Sequence, residues 1–223
     1  MLNLHQFLSS NPSMRLSELT GSKVVIKGQF SFCAAADGFR EIRENLDLEV
    51  TFLKGYPKSI PVVAETSNKI PRIEKYHTYE NGSFCLGSDI RLKSMLKKNL
   101  SIEDFFKLIV VPFLYSVFHK MKHGVFPIGD LYHGSRGLVQ DYEQIFCVKG
   151  EASVIMALEA LGKRKRVANK LPCPCMCGLR LGRCAFRHTL SNWRELDTRR
   201  WYRSYLDEVF SGNDQLRAMS ISA

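Results

Sequence analysis

Two groups of cysteines carry most of the chemistry this chain offers. The first is a single residue, Cys85, in the stretch KYHTYENGSFCLGSD from Lys75 to Asp89. It follows an Asn-Gly pair, Asn81-Gly82, and lies eight residues after His77. A thiolate is a strong nucleophile, and a loop cysteine can be reached by a second reactant. His77 can help ionise such a sulfur or orient an attacking amine. The Asn81 amide can stabilise a tetrahedral oxyanion. The competing reading makes Cys85 a small apolar residue closing a strand, as free cysteines often are. Asn81 then supplies only a turn.

The second group lies in CPCMCGLRLGRCAFRH, from Cys173 to His188. Clustered thiols point to metal. Zinc takes four soft or borderline ligands tetrahedrally, and a site saturated with protein ligands is structural. So short a segment cannot bury a core of its own, and metal would supply its folding energy. The competing reading is a reduced, metal-free cysteine tail. Arg180, Arg183 and Arg187 alternate with the cysteines, where they offset thiolate charge or form a basic docking face. The remaining thiols, Cys33 and Cys147, read as core residues.

These groups need elements to position them. Leu2 to Ser9 reads as a short amphipathic helix ended by Asn11-Pro12. SKVVIKGQFSF and LDLEVTFLKGYP alternate as strands, and SIPVVAETS reads as a third; their hairpin spacing predicts an antiparallel meander. An irregular segment carrying Cys85 follows. SIED fits a capping box, Ser101 with Asp104, before an apolar helix that Pro112 should kink. HGVFPIGDLYHGSRG reads as an ordered loop, with His133 a candidate neighbour of the site. Ala152 to Leu161 reads as a helix and KRKR as an exposed linker. Trp193 to Phe210 reads as a final helix, capped by Asn192 and Glu195.

The chain has 223 residues, 45% hydrophobic and 24% charged, enough for a packed core and one domain with an appendage. Its net charge is +10, and the stretch from Lys163 to Phe210 holds twelve Lys/Arg against four Asp/Glu, or +8 of it. A basic tail of this kind binds nucleic acid or docks an acidic protein. The N-terminus lacks the pattern of a signal peptide. The longest apolar run, LIVVPFLYSVF, has eleven residues and a proline, too short to span a bilayer. The expected setting is cytoplasmic, where thiols stay reduced.

The order of elements resembles the ubiquitin-conjugating enzyme family over about residues 1–125. GYPKSIPVV resembles the family's Tyr-Pro-x-x-x-Pro segment, and YHTYENGSFCL its His-Pro-Asn loop leading to NGxxCL. The resemblance implies an α+β fold of N-terminal helix, antiparallel meander sheet and C-terminal helices. It places the thioester on Cys85, with His77 and Asn81 as catalytic candidates. Thr78-Tyr79 stands where the family has Pro-Asn, so the ordinary route of lysine aminolysis lacks its asparagine. The loop spacing and GDLYHG more closely resemble prokaryotic members of the fold, several encoded in antiphage (CBASS) operons. One group of these joins the C-terminus of a cyclic-oligonucleotide synthase, a CD-NTase, to other molecules. The tail resembles the SEC-C motif, a short zinc-binding segment. That resemblance places Cys173, Cys175 and Cys184 on three ligand positions. Ala185 occupies the fourth, so His188 is the expected substitute, with Cys177 as the alternative.

The expected organisation is a ubiquitin-conjugating-like domain over 1–162 and a basic linker, zinc motif and helix over 163–223. The expected activity is transfer of a partner's C-terminal acyl group through Cys85 to an amine, in antiviral defence. The partner would be a CD-NTase or a ubiquitin-like protein. No nucleotide-binding loop is present, so ATP-driven activation falls to a separate activating enzyme. Two rivals stand beside this reading. One is a noncatalytic interaction module of the same fold. The other is a nucleic-acid-binding protein acting through the basic tail.

Overall fold

The computed structural model describes residues 3–98, 100–127 and 134–210. The fold is α+β, in two compact units, Met1–Asp130 and Leu131–Ala223.

In the first unit, helix α1 (Leu4–Ser10) leads into strands β1 (Met14–Leu19), β2 (Lys23–Ala34), β3 (Ile42–Leu53) and β4 (Val62–Glu65). They form one antiparallel sheet in the order β1-β2-β3-β4. The long β2–β3 ladder runs from Lys23 opposite Leu53 to Ala34 opposite Ile42. Along β3, Leu46, Leu48, Val50 and Phe52 alternate onto the buried face, as the two-residue period requires. β1 is an addition to the expected meander. It is short, carries a bulge between Leu16 and Glu18, and shows little alternation.

One face of the sheet is covered by α2 (Asp89–Leu96) and, after a break, by a continuous helical run of α3 (Ile102–Phe105), a π-helical turn over Phe106–Val110, and α4 (Val111–His123). The Ser101–Asp104 capping box forms at the start of α3 as expected. Phe30 meets Phe106 at 4.7 Å, Phe32 meets Phe118 at 5.9 Å, and Phe52 meets Phe105 at 5.8 Å between ring centroids. Pro112 falls in the first turn of α4. Lacking an N–H, it cannot donate to the carbonyl four residues back, and the wider π turn lies beside that break. α2 was not anticipated. Ser88 caps it by accepting from the Arg91 N–H.

The second unit is helical: α5 (Gly134–Phe146), α6 (Glu151–Gly162), α7 (Lys165–Ala168), α8 (Phe186–Trp193) and α9 (Arg199–Phe210). α6 packs against α5, α8 and α9 through Val154, Ala157, Leu158 and Leu161, all fully buried. This packing groups α6 with α9 in the second unit, because α6 cannot bury its apolar side without α9. Three expectations are corrected here. GSRG opens α5 instead of continuing a loop, and His133 lies outside the described residues. The basic KRKR run is exposed, but half of it enters α7. The final helix is two helices, and the cap of α9 is Thr198, whose Oγ1 accepts the Trp201 N–H at 3.1 Å. Between them, the half-buried Arg194 donates to the carbonyls of Ala160 (2.5 Å), Leu161 (3.3 Å) and Lys163 (2.8 Å). It thereby caps the C-terminus of α6. No helix among the described residues is long and apolar enough to cross a membrane.

Candidate functional site

The stretch around Cys85 folds as a tight hairpin beside β4. A single 3₁₀ turn, Glu74–Tyr76, delivers the chain to His77, which takes a left-handed conformation at φ 53°. From there three rungs close the hairpin. The Cys85 N–H donates to the His77 carbonyl at 2.8 Å, Thr78 pairs with Phe84, and the Tyr79 N–H donates to the Ser83 carbonyl at 2.9 Å. The Phe84 N–H and Gly82 carbonyl tie the hairpin to Val63 and Glu65 of β4, at 2.9 and 3.0 Å. Thr78 and Phe84 are buried. By the alternation of paired strands, His77, Tyr79, Ser83 and Cys85 share the opposite face.

Gly82 is required at the tip. Its φ is 81°, and a Cβ there would sit 2.5 Å from the Glu65 carbonyl oxygen. Asn81 makes an Asx turn, its Oδ1 accepting from the Ser83 N–H at 2.9 Å and the Ser83 hydroxyl at 2.6 Å.

The hairpin register places the three expected residues differently. Cys85 is partly exposed and stands opposite His77 across the hairpin, joined to it through the backbone. The His77 ring meets Phe126 edge-on, with centroids 5.7 Å apart. The Asn81 carbonyl oxygen serves the turn.

The residue missed by sequence reasoning is Tyr79. It faces the same side of the hairpin as Cys85, with one rung between them, close enough for the two groups to interact electrostatically. Local desolvation, and then the neighbouring Cys85 and Asp89, push the phenol up to about 12. At neutral pH it therefore remains a protonated donor beside the sulfur, although the side chain is 57% exposed. The Asn81-Gly82 pair suggests a two-residue turn, but the observed register leaves three loop residues, Glu80 to Gly82, and pairs Tyr79 with Ser83. That register sets Tyr79 diagonally across from Cys85.

The second cluster is built by short-range turns. Cys173 and Leu179 bond across a hairpin (N–H to O, 2.9 Å), the Leu181 N–H donates to the Leu171 carbonyl, and Pro172 pairs with Arg180. Met176 and Gly178 both take positive φ, 60° and 76°, which turns the chain tightly around Cys177. A 3₁₀ turn, Leu181–Arg183, then presents Cys184 ahead of α8. The sulfurs of Cys173, Cys175, Cys177 and Cys184 lie within 4.8 Å of one another, with Cys173 to Cys175 at 3.2 Å and Cys175 to Cys184 at 3.6 Å. This group can hold a metal ion. Burial pushes the Cys173 thiol up. The Phe186 N–H, 3.5 Å from the Cys184 sulfur, is the main cause holding that thiol down to about 7.

His188 lies outside the group, and Cys177 stands in its place. The exposed His188 ring instead accepts from the Arg187 guanidinium through Nε2 at 3.2 Å, within the first turn of α8. Arg187 also donates to the Gly182 carbonyl at 2.7 Å, so one of the three interleaved arginines has a structural task. Cys33 and Cys147, expected in the core, are exposed. Cys147 sits at φ 55° just after α5, and Cys33 lies at an outward position near the end of β2.

No protein-family model, curated protein or solved structure matches the chain.

Proposed function

We propose that the first unit is a ubiquitin-conjugating-like acyl carrier. The observation that carries this reading is the partly exposed Cys85 sulfur beside the Tyr79 hydroxyl, on a hairpin that follows the meander and precedes α2. The thiolate attacks the activated C-terminal carbonyl of a partner protein and expels the activating group. A separate activating enzyme supplies that acyl donor. An amine then attacks the thioester carbon, loses a proton to solvent or a base, and the C–S bond breaks to regenerate the thiolate. Tyr79 donates a hydrogen bond to the oxyanion, where the family's asparagine is absent. His77 lines the same face. A CD-NTase is the partner we favour, in bacterial antiviral defence, and this choice rests on the resemblance of the loop alone.

For the second unit we propose a structural zinc on Cys173, Cys175, Cys177 and Cys184. A tetrahedron with Zn–S bonds of about 2.3 Å has edges of about 3.8 Å. The Cys173–Cys175 and Cys175–Cys184 sulfur pairs, 3.2 and 3.6 Å apart, approach that spacing before any ion draws them to it. The Phe186 N–H is the kind of outer-shell donor that steadies a metal thiolate.

The test of the carrier reading uses the different labilities of thioester and amide. The chain is co-expressed with its genomic neighbours, and adducts on residue 85 are sought by mass spectrometry. The wild type should yield an adduct that reductant removes. Cys85→Lys should yield an isopeptide to a partner's last residue that survives reductant and heat. A wild-type chain without any reductant-sensitive adduct leaves the noncatalytic module as the better reading.

A further inference from the structure

Away from both cysteine sites, the helix ends of the second unit border an open depression of about 450 Å³ lined by Leu161, Arg164, Lys165, Arg194, Asp197 and Arg199. That volume falls in the range of about 300–1,000 Å³ typical of small-molecule sites. Four of the six lining residues are cations and one is a carboxylate.

Ordinary structural needs account for Arg194 but not for the other three cations. Cations after a helix C-terminus are usually explained by the partial negative charge of its carbonyls. Here the last carbonyls of α6 are already taken by Arg194. Arg164 and Lys165 make no ion pair among the described residues. Arg199 is less expected still. It opens the twelve-residue α9, at the positive end of the helix, with no acidic residue in the first turn. The lining carboxylate, Asp197, accepts from the Thr198 N–H at 2.6 Å. Arg194 is held half-buried by its three carbonyls, and both its burial and the nearby Arg199 disfavour its charge. Like charges have thus been gathered from three segments around one hollow, an arrangement that an anion would relieve.

We infer that this depression binds a compact polyanion carrying two or more phosphate groups, free in solution. The guanidiniums of Arg164 and Arg199 and the Lys165 ammonium suit phosphate oxygens, which arginine grips in a bidentate fork. A single phosphate would leave much of the hollow empty. A nucleic-acid strand would call for a stripe of cations along a face, whereas these converge on one volume.

The probe is inorganic tripolyphosphate, titrated calorimetrically into the intact, metal-containing chain at low and moderate salt. Saturable binding at one site per chain is expected, weakening as salt rises. Arg164→Ala, Lys165→Ala and Arg199→Ala should each lower affinity about tenfold, since a charge-assisted hydrogen bond contributes on the order of that factor. Arg180→Ala, an exposed change beside the cysteine cluster, should leave affinity unchanged. Tripolyphosphate also sequesters metal ions, so metal content is measured before and after. Heat from stripping would be the same in Arg199→Ala, and its persistence there would overturn the site. The inference also fails if no saturable binding occurs, or if Arg180→Ala costs as much as Arg199→Ala. Tighter binding of single-stranded DNA than of tripolyphosphate at the same salt would likewise point to a diffuse basic face.

Discussion

The two cysteine sites are assembled in opposite ways. Cys173, Cys175, Cys177 and Cys184 converge through turns and one short hairpin, within a stretch that contributes few buried side chains. Cys85 stands alone, but its hairpin is fastened to β4 and backed by the buried Thr78 and Phe84. The first arrangement gathers like donors and leaves cohesion to whatever they bind. The second borrows its rigidity from a finished core and keeps one sulfur at the surface. On the proposed reading, thiols meant for ligation need neighbours of their own kind, whereas a thiol meant for chemistry needs a different neighbour, here a phenol.

That contrast can be broken most severely at the metal. Cys173→Ser should abolish metal binding measured by elemental analysis. It should also open the 171–184 segment to protease, because ligation in small zinc modules is worth about 10–16 kcal/mol of folding energy. The first unit should resist protease as before. His188→Ala should retain the metal and Cys177→Ser should lose it; the reverse result would restore His188 to the ligand set.

At the other site the loss should fall on activity and not on folding. Cys85→Ala should eliminate the reductant-sensitive adduct while thermal stability changes by no more than about 1 kcal/mol, the range for a partly exposed position. Tyr79→Phe sharpens the comparison. Loading of Cys85 should persist, while single-turnover discharge to an amine should slow by about 10²-fold, as when one oxyanion donor is removed. Discharge at the wild-type rate would reduce Tyr79 to a bystander.

Two smaller effects test the borrowed rigidity. Gly82→Ala should destabilise the first unit by roughly 1–3 kcal/mol in chemical denaturation, through the left-handed backbone and the clash with the Glu65 carbonyl. Ser101→Ala should cost about 1 kcal/mol by removing the α3 cap. Neither change should affect metal content.

Legibility in the sequence followed the range of the interactions. The β2–β3 ladder announced itself through alternation along β3, and the capping box of α3 through two residues three apart. The clustered thiols were plain, but choosing Cys177 over His188 required backbone angles at Met176 and Gly178 that composition does not disclose. β1 was missed because an edge strand with a bulge alternates weakly. The break between α8 and α9 was missed because Arg194-Glu-Leu-Asp-Thr198 reads as acceptable helix until Arg194 is seen bonded to the end of α6. Cys85 could be singled out by its context, whereas Tyr79 emerged only from hairpin register.

The π turn at Phe106–Val110 also sets the angular phase of the long helix. A regular helix advances about 100° per residue, and a π turn accommodates one residue more than that spiral allows. Phe105 before it, Phe106 at its start, and Leu114, Val117 and Phe118 after it are all buried in the core under the sheet. Their spacing matches a single helical stripe only after that extra step. Were the segment to keep every residue and wind as a regular helix, the half after Val110 would be rotated by about 100°, carrying Leu114 and Phe118 off the sheet. Deleting one residue between Phe106 and Val110 should instead give a regular helix with both halves still on the sheet. The irregularity is a gearing between two halves of one helix, and both halves reach the core because of it.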